Sequence, residues 1–218
     1  MLKRPIRIMC FGDSNTWGYT PVTGERYPEN IRYPGVLAKK LGDNYRVIEE
    51  GLNARTIAFG ADYVRPNRCG MEHLEPTISS HFPLDYLVIM LGTNDTQPRF
   101  SAWPDEIALG LERMILEAKK LFYINQSKTE IIIMAPVPYK QVKGNFFLAD
   151  ELIDKTKALT AKFKKVARMQ KCHFINLDNL TKPLGDDRIG ADGIHLTAAS
   201  HKIAGEALAE LILELEAK

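Results

Sequence analysis

Four short polar segments of the chain hold the residue types from which acyl transfer can be built. The first is Phe11-Gly12-Asp13-Ser14-Asn15-Thr16-Trp17-Gly18. A serine hydroxyl becomes a useful nucleophile only when a base within hydrogen-bond reach takes its proton. Ser14 could equally be a helix N-cap, a common role for serine. The second segment, Asp192-Gly193-Ile194-His195, holds a base. An imidazole accepts a proton near neutral pH. A carboxylate three residues earlier, on one turn, can reach one ring nitrogen and leave the other free. A surface Asp-Gly turn beside a solvated histidine is the plain alternative. Leu91-Gly92-Thr93-Asn94-Asp95 offers a side-chain amide, and Glu50-Gly51-Leu52-Asn53-Ala54-Arg55-Thr56 offers backbone N–H groups. Donors of both kinds can hold the oxygen of a tetrahedral intermediate, and losing one typically costs about 10²–10³ in rate. Either turn could also be an ordinary loop. Asp13 and Asp95 read as hydrogen-bonders or turn-formers. His201, on a C-terminal helical pattern, reads as solvated or capping, and His73, His81 and His173 show no partner pattern.

These segments need elements to position them. Ile6–Phe11, Arg46–Glu50, Asp85–Leu91, Glu130–Ala135 and His173–Asn176 read as strands. Their runs are apolar without alternation, as in a parallel sheet covered on both faces. Between them lie helical patterns. One follows Pro104, with apolar residues at Ile107, Leu111, Met114, Ile115, Ala118 and Phe122. A second is marked by Leu148, Leu152, Leu159, Phe163 and Val166. A third, capped by Thr197, carries Ala204, Ala207, Leu208, Leu211 and Leu215. Shorter helices are expected near Gly35–Leu41 and Met71–Ser80. The alternation predicts an α/β fold, a three-layer α/β/α sandwich on a five-stranded parallel sheet. Ligands of such sheets bind beyond the carboxyl ends of the strands. Three of the polar segments stand at strand ends, and the fourth precedes the last helix.

Composition narrows the function classes. The 218 residues include 29 Lys+Arg and 27 Asp+Glu, a net charge of +2. This excludes a polybasic nucleic-acid arm and an acidic tail. The longest apolar runs, about six residues, fall far short of the roughly 20 that span a bilayer. The start, MLKRPIRIMCFGDS, reads as no signal peptide. Three cysteines make no complete disulfide framework and suggest a reducing, cytoplasmic setting. Cys10 and Cys172 sit in apolar runs; Cys69 lies in a polar loop where it could be exposed. The stretch Tyr19–Pro34 is long for a connection and could be a lid or a subunit contact. Trp17, Gly51, Asn53 and Phe100 are expected to line an apolar substrate pocket.

Together the four segments resemble the SGNH, or GDSL-type, hydrolase family, whose blocks carry Ser, Gly, Asn and His in that order. The resemblance runs from Ile6 to the last helix. GDSNTWGY, VIEEGLNART and IMLGTND are similar to the bacterial arylesterase/acyltransferase branch, whose members hydrolyse short-chain esters and can pass the acyl group to alcohols. The resemblance implies one flavodoxin-like domain over 1–218, with Ser14 as nucleophile, His195 as general base and Asp192 as its orienting partner. The Ser14 N–H, the Ala54 N–H and Asn94 would form the oxyanion hole. It implies no metal or organic cofactor, a small ester as substrate, water or an alcohol as acceptor, and homo-oligomers in some members. No nucleic acid or membrane partner is expected. Two residues depart from the family pattern. Asn15 replaces the usual Leu, at a place that need not touch the chemistry. Ala54 stands where Gly is frequent, which makes Gly51 the turn-former. Two rivals remain at this point. One is a metal-dependent phosphoesterase with Asp13, Asn94, Asp192 and His195 as ligands, although the five histidines include no His-x-His pair. The other is a non-catalytic α/β ligand-binding domain. A nucleotide binder lacks both GxGxxG and GxxxxGK[ST].

Overall fold

The computed structural model describes residues 4–61, 64–143 and 150–218. In chain order, the sheet and its helices are β1 (Ile6–Gly12), α1 (Ser14–Trp17), α2 (Tyr33–Leu41), β2 (Tyr45–Gly51), α3 (Gly70–His81) and β3 (Tyr86–Met90). They continue with α4 (Pro104–Ile124), β4 (Glu130–Ala135), α5 (Asp150–Met169), β5 (His173–Asn176), α6 (Leu177–Thr181) and α7 (Ala198–Glu216). The five strands pair in parallel in the order β2-β1-β3-β4-β5.

Side chains alternate across each strand, so each central strand feeds two cores. Met9 and Phe11 of β1, with Leu87, Ile89, Ile131 and Ile133, pack on the face covered by α3, α4 and α5. Ile8 and Cys10, with Val88, Met90, Ile132 and Met134, pack on the face covered by α2 and α7. This double coverage explains the unbroken apolar runs of β1, β3 and β4. The edge strand β2 is only half-buried. Helix starts follow local chemistry. Pro104 opens α4, and the Glu106 carboxylate accepts the Trp103 N–H at 2.7 Å. The Thr197 hydroxyl accepts the Ser200 N–H at 3.3 Å at the start of α7. Leu148, expected to mark α5, lies outside the described residues. Among the described residues, no helix is long and apolar enough to cross a membrane.

Two expectations are corrected. Cys69 is buried, because a parallel bridge from Thr56 to Cys69 folds its loop onto the start of α3. His201 is neither solvated nor capping. It is 0% exposed, accepts the Tyr33 N–H on Nδ1 at 3.3 Å, and packs against the rings of Tyr27 and Tyr33. Burial, and then the nearby His195, push its pKa down to about 3, and its Nε2 has no partner among the described residues.

Candidate active site

The chain crosses over after β2, so β1 has β2 on one side and β3 on the other. In parallel sheets, ligands bind at such a reversal, beyond the carboxyl ends of the strands, here β1 and β3. Asp13 follows β1 and caps α1, its Oδ1 accepting the Asn15 N–H at 2.9 Å. The cap places Ser14 on the first helical position, only 6% exposed. The Asp192-Gly193-Ile194-His195 segment forms a tight turn ahead of α7. Gly193 takes φ +76°, a conformation that suits glycine. Asp192 Oδ1 accepts the N–H groups of Ile194 and His195, both at 3.0 Å, and Asp192 Oδ2 lies 2.5 Å from His195 Nδ1. His195 Nε2 lies 2.8 Å from Ser14 Oγ. Three side chains from the two ends of the chain therefore form one hydrogen-bonded line.

Electrostatics fix the direction of proton flow along it. Burial alone would raise the Asp192 pKa. The His195 ring, the N–H groups of His195 and Ile194, and the charge His195 can carry outweigh burial and hold Asp192 below its ordinary value. Asp192 is thus an anion at neutral pH and attracts a proton onto Nδ1. Nε2 is left as the acceptor facing Ser14. Such a line can deprotonate a hydroxyl and later return the proton to a leaving group.

The donors stand beside it. Gly12 pairs with Gly51 in β2 and with Met90 in β3, so the loops after all three strands are neighbours. One N–H of the Asn94 amide goes to Arg55 O at 3.0 Å, which ties the β3 turn to the β2 loop. Among the described residues, the N–H groups of Ser14 and Ala54 have no hydrogen-bond acceptor. Ala54 has φ +67°, in the left-handed region where an alanine costs roughly 1–2 kcal/mol. The glycine frequent at this place in the resembled family would adopt it freely. Gly51 is not the turn-former. A Cβ there would come within 2.2 Å of Trp17 N, so Gly51 is required for the close approach of β2 to α1.

The remaining pocket candidates hold contacts of their own. Trp17 packs against Tyr19, with Arg26 over its ring at 5.4 Å. Asn53 is half-buried, and its carbonyl accepts from Arg68. Phe100 pairs with Phe59 at 5.6 Å against the core. Described contacts bring none of these, nor Gly51, onto Ser14 or His195. Tyr19 does reach the site: its ring lies 4.2 Å from that of His195. Arg26 and Arg32 both pair with Glu49, holding the Tyr19–Pro34 stretch to the edge of the sheet.

Arg55, which had no assigned role in the sequence, and Asp95, expected as a hydrogen-bonder, lie beneath these turns. Arg55, 5% exposed, donates to Gly12 O at 3.0 Å and to Glu50 O, and stacks on Phe11 at 4.1 Å. Burial lowers its pKa to about 10, so it stays charged at neutral pH. Asp95 accepts the Ile57 N–H at 2.8 Å. Burial raises its pKa to about 7 and that of Asp13 to about 6. Adjacent Asn94 and Asp95 thus grip Arg55 O and Ile57 N–H on the loop after β2. The sequence marks Asn94 as a donor and Asp95 as a hydrogen-bonder, but not the partners they take on the loop after β2. Among the described residues, no three His, Cys, Asp or Glu side chains converge as metal ligands. Asp192 and His195 are bonded to each other, and Asp13 to Asn15.

Comparisons with known proteins bear on the family and the fold. The sequence profile of the GDSL-like Lipase/Acylhydrolase family matches residues 10–203. An acetylxylan esterase of Xylanibacter ruminicola is 27% identical over 220 residues, covering 95% of this chain and 43% of that protein. The chain thus spans less than half the length of this curated relative. A solved carbohydrate acetylesterase from Sinorhizobium meliloti superposes with a TM-score of 0.87 at 32% identity, covering 98% of this chain and 100% of that one. The native aryl esterase of M. smegmatis superposes with a TM-score of 0.86 at 34% identity, covering 96% and 99%.

Proposed function

The chain belongs to the GDSL-like lipase/acylhydrolase family, and from that premise we propose that it is a serine esterase acting on short-chain carboxylic esters through an acyl-enzyme on Ser14. The observation that carries this reading is the unbroken line Ser14 Oγ–His195 Nε2, His195 Nδ1–Asp192 Oδ2, at 2.8 and 2.5 Å. His195 takes the Ser14 proton as Oγ attacks the ester carbonyl, and Asp192 stabilises the imidazolium. The Ser14 N–H, the Ala54 N–H and the Asn94 amide receive the developing oxyanion. His195 then protonates the departing alcohol or phenol. Water enters, gives its proton to His195 and releases the acid. An alcohol following the same route receives the acyl group instead.

Acetyl esters of carbohydrates and aryl esters are the substrate classes we propose, in keeping with the names of the similar proteins. We read residues 1–218 as one domain, since both cores share the same five strands. The three free cysteines fit a reducing compartment, and we propose the cytoplasm.

The test is hydrolysis of p-nitrophenyl acetate by the wild type and by Ser14→Ala. Loss of p-nitrophenol release in the variant is expected. Near-normal turnover would end the assignment, and so would activity abolished by a chelator but untouched by serine reagents.

A further inference from the structure

We propose that Asn15 is a positioning residue: it ties the nucleophile's turn to the base's loop and thereby holds His195 on Ser14. The inference rests on the Ser14–His195–Asp192 reading above. Asn15 stands at a place expected not to touch the chemistry. It is 6% exposed, and its Oδ1 accepts the Leu196 N–H at 2.9 Å across 181 positions of chain. A backbone N–H only donates, so the oxygen of the amide must face Leu196, and the Asn15 side chain has one permitted orientation. Leu196 is 2% exposed, and no water can readily replace the lost acceptor.

The neighbouring residues show what this bond adds. Asn15 immediately follows Ser14, and Leu196 immediately follows His195. The His195 backbone is otherwise held from within its own loop: Asp192 accepts its N–H at 3.0 Å, and Gly190 N donates to its carbonyl at 2.9 Å. A further bond, from the Lys140 N–H to Gly193 O at 2.9 Å, ties the loop to the segment after β4, and none of these bonds reaches α1. Among the described residues, two hydrogen bonds join the nucleophile's turn to this loop. One is Ser14 Oγ to His195 Nε2, and the other is Asn15 Oδ1 to Leu196 N. The first is the reacting bond. It is lost when Ser14 carries an acyl group and has no hydroxyl proton to donate. The Asn15 bond persists through that stage and keeps His195 where an incoming water must meet it. Asp13 in turn fixes Asn15 by accepting its backbone N–H at 2.9 Å.

The experiment compares wild type, Asn15→Leu, Asn15→Asp and Ser14→Ala in steady-state hydrolysis of p-nitrophenyl acetate, with thermal unfolding of each. Misplacing a reacting group by about 1 Å can cost about 10²-fold in rate. Asn15→Leu is therefore expected to lose roughly 10–100-fold in kcat while KM stays within about twofold. Asn15→Asp keeps an oxygen acceptor and should return to within about fivefold of wild-type kcat. If Asn15→Leu does not fold, Asn15→Ala makes the same comparison. An Asn15→Leu kcat within about twofold of wild type would overturn the proposal, and so would Asn15→Asp no better than Asn15→Leu, since the loss would then lie in packing. Ser14→Ala separates the two readings. If it remains active, the esterase assignment itself fails, whatever the Asn15 variants do.

Discussion

Replacing Asp192 with asparagine tests the geometry of the base more sharply than deleting it. Asp192 Oδ1 faces two backbone donors, the N–H groups of Ile194 and His195, both at 3.0 Å. In Asp192→Asn the amide oxygen must stay on that side, because the NH₂ group would otherwise confront two donors. The NH₂ then occupies the place of Oδ2, 2.5 Å from His195 Nδ1 in the wild type. An amide donor there forces Nδ1 to be the unprotonated nitrogen, and the ring proton moves to Nε2. His195 then points a proton at Ser14 and cannot accept one. The corresponding change in a Ser-His-Asp protease costs about 10⁴ in kcat, which is about 5.4 kcal/mol of barrier. Asp192→Ala is the control. It removes the acceptor of both backbone N–H groups, at about 1 kcal/mol per bond, and should lower Tm by roughly 4–8 °C in a chain of this size. Asp192→Asn keeps those two bonds and should unfold within about 3 °C of wild type. The assay is kcat on p-nitrophenyl acetate beside differential scanning calorimetry. An Asp192→Asn enzyme that keeps more than about a tenth of wild-type kcat would refute the tautomer argument.

Three further outcomes follow from the same geometry. Asn94→Ala should lower kcat by about 10²-fold with little change in KM; a large rise in KM with kcat intact would place Asn94 in ground-state binding instead. Ala54→Gly retains the N–H and releases left-handed strain of roughly 1–2 kcal/mol, partly offset by the freer unfolded chain, so urea unfolding should show stability unchanged or about 1 kcal/mol higher at near-normal kcat. A tenfold loss of kcat would mean that the Ala54 methyl, not only its N–H, serves the site. His201 is neutral in the folded state because its pKa is lowered to about 3, whereas the unfolded chain takes up a proton near 6.5. Its contribution is complete above that unfolded value and is lost progressively as pH falls toward 3. Asp13 and Asp95, raised to about 6 and about 7, act in the opposite sense over part of this range, so only a comparison between proteins isolates His201. Wild type should lose about 2 kcal/mol relative to His201→Asn between pH 6.5 and pH 5 in urea unfolding, and a constant difference would contradict the buried neutral state.

Much of this molecule is legible in its sequence where one cause dominates. β1, β3 and β4 are covered on both faces, and their apolar runs match the observed strands to within a residue or so. The Ser14, Asp192 and His195 segments are recognisable because each sits at a punctuated strand end or helix start. What escaped depends on residues far apart in the chain. The burial of His201 is set by Tyr33, 168 positions away. The value of Asn15 comes from Leu196, and that of Asp95 from Ile57 on another loop. Gly51 announces a glycine requirement but not its source, the α1 backbone packed against it. No local pattern contains those partners. Helical periodicity placed His201 on α7 but could not say which neighbour would close over it.

In the proposed mechanism, Ser14 Oγ is the atom that is acylated. Treatment with a fluorophosphonate, followed by digestion and mass spectrometry, tests it most directly. One adduct per chain is expected, on the peptide and side chain of Ser14, forming as esterase activity disappears. An adduct on another residue, or activity lost with Ser14 unmodified, would contradict it.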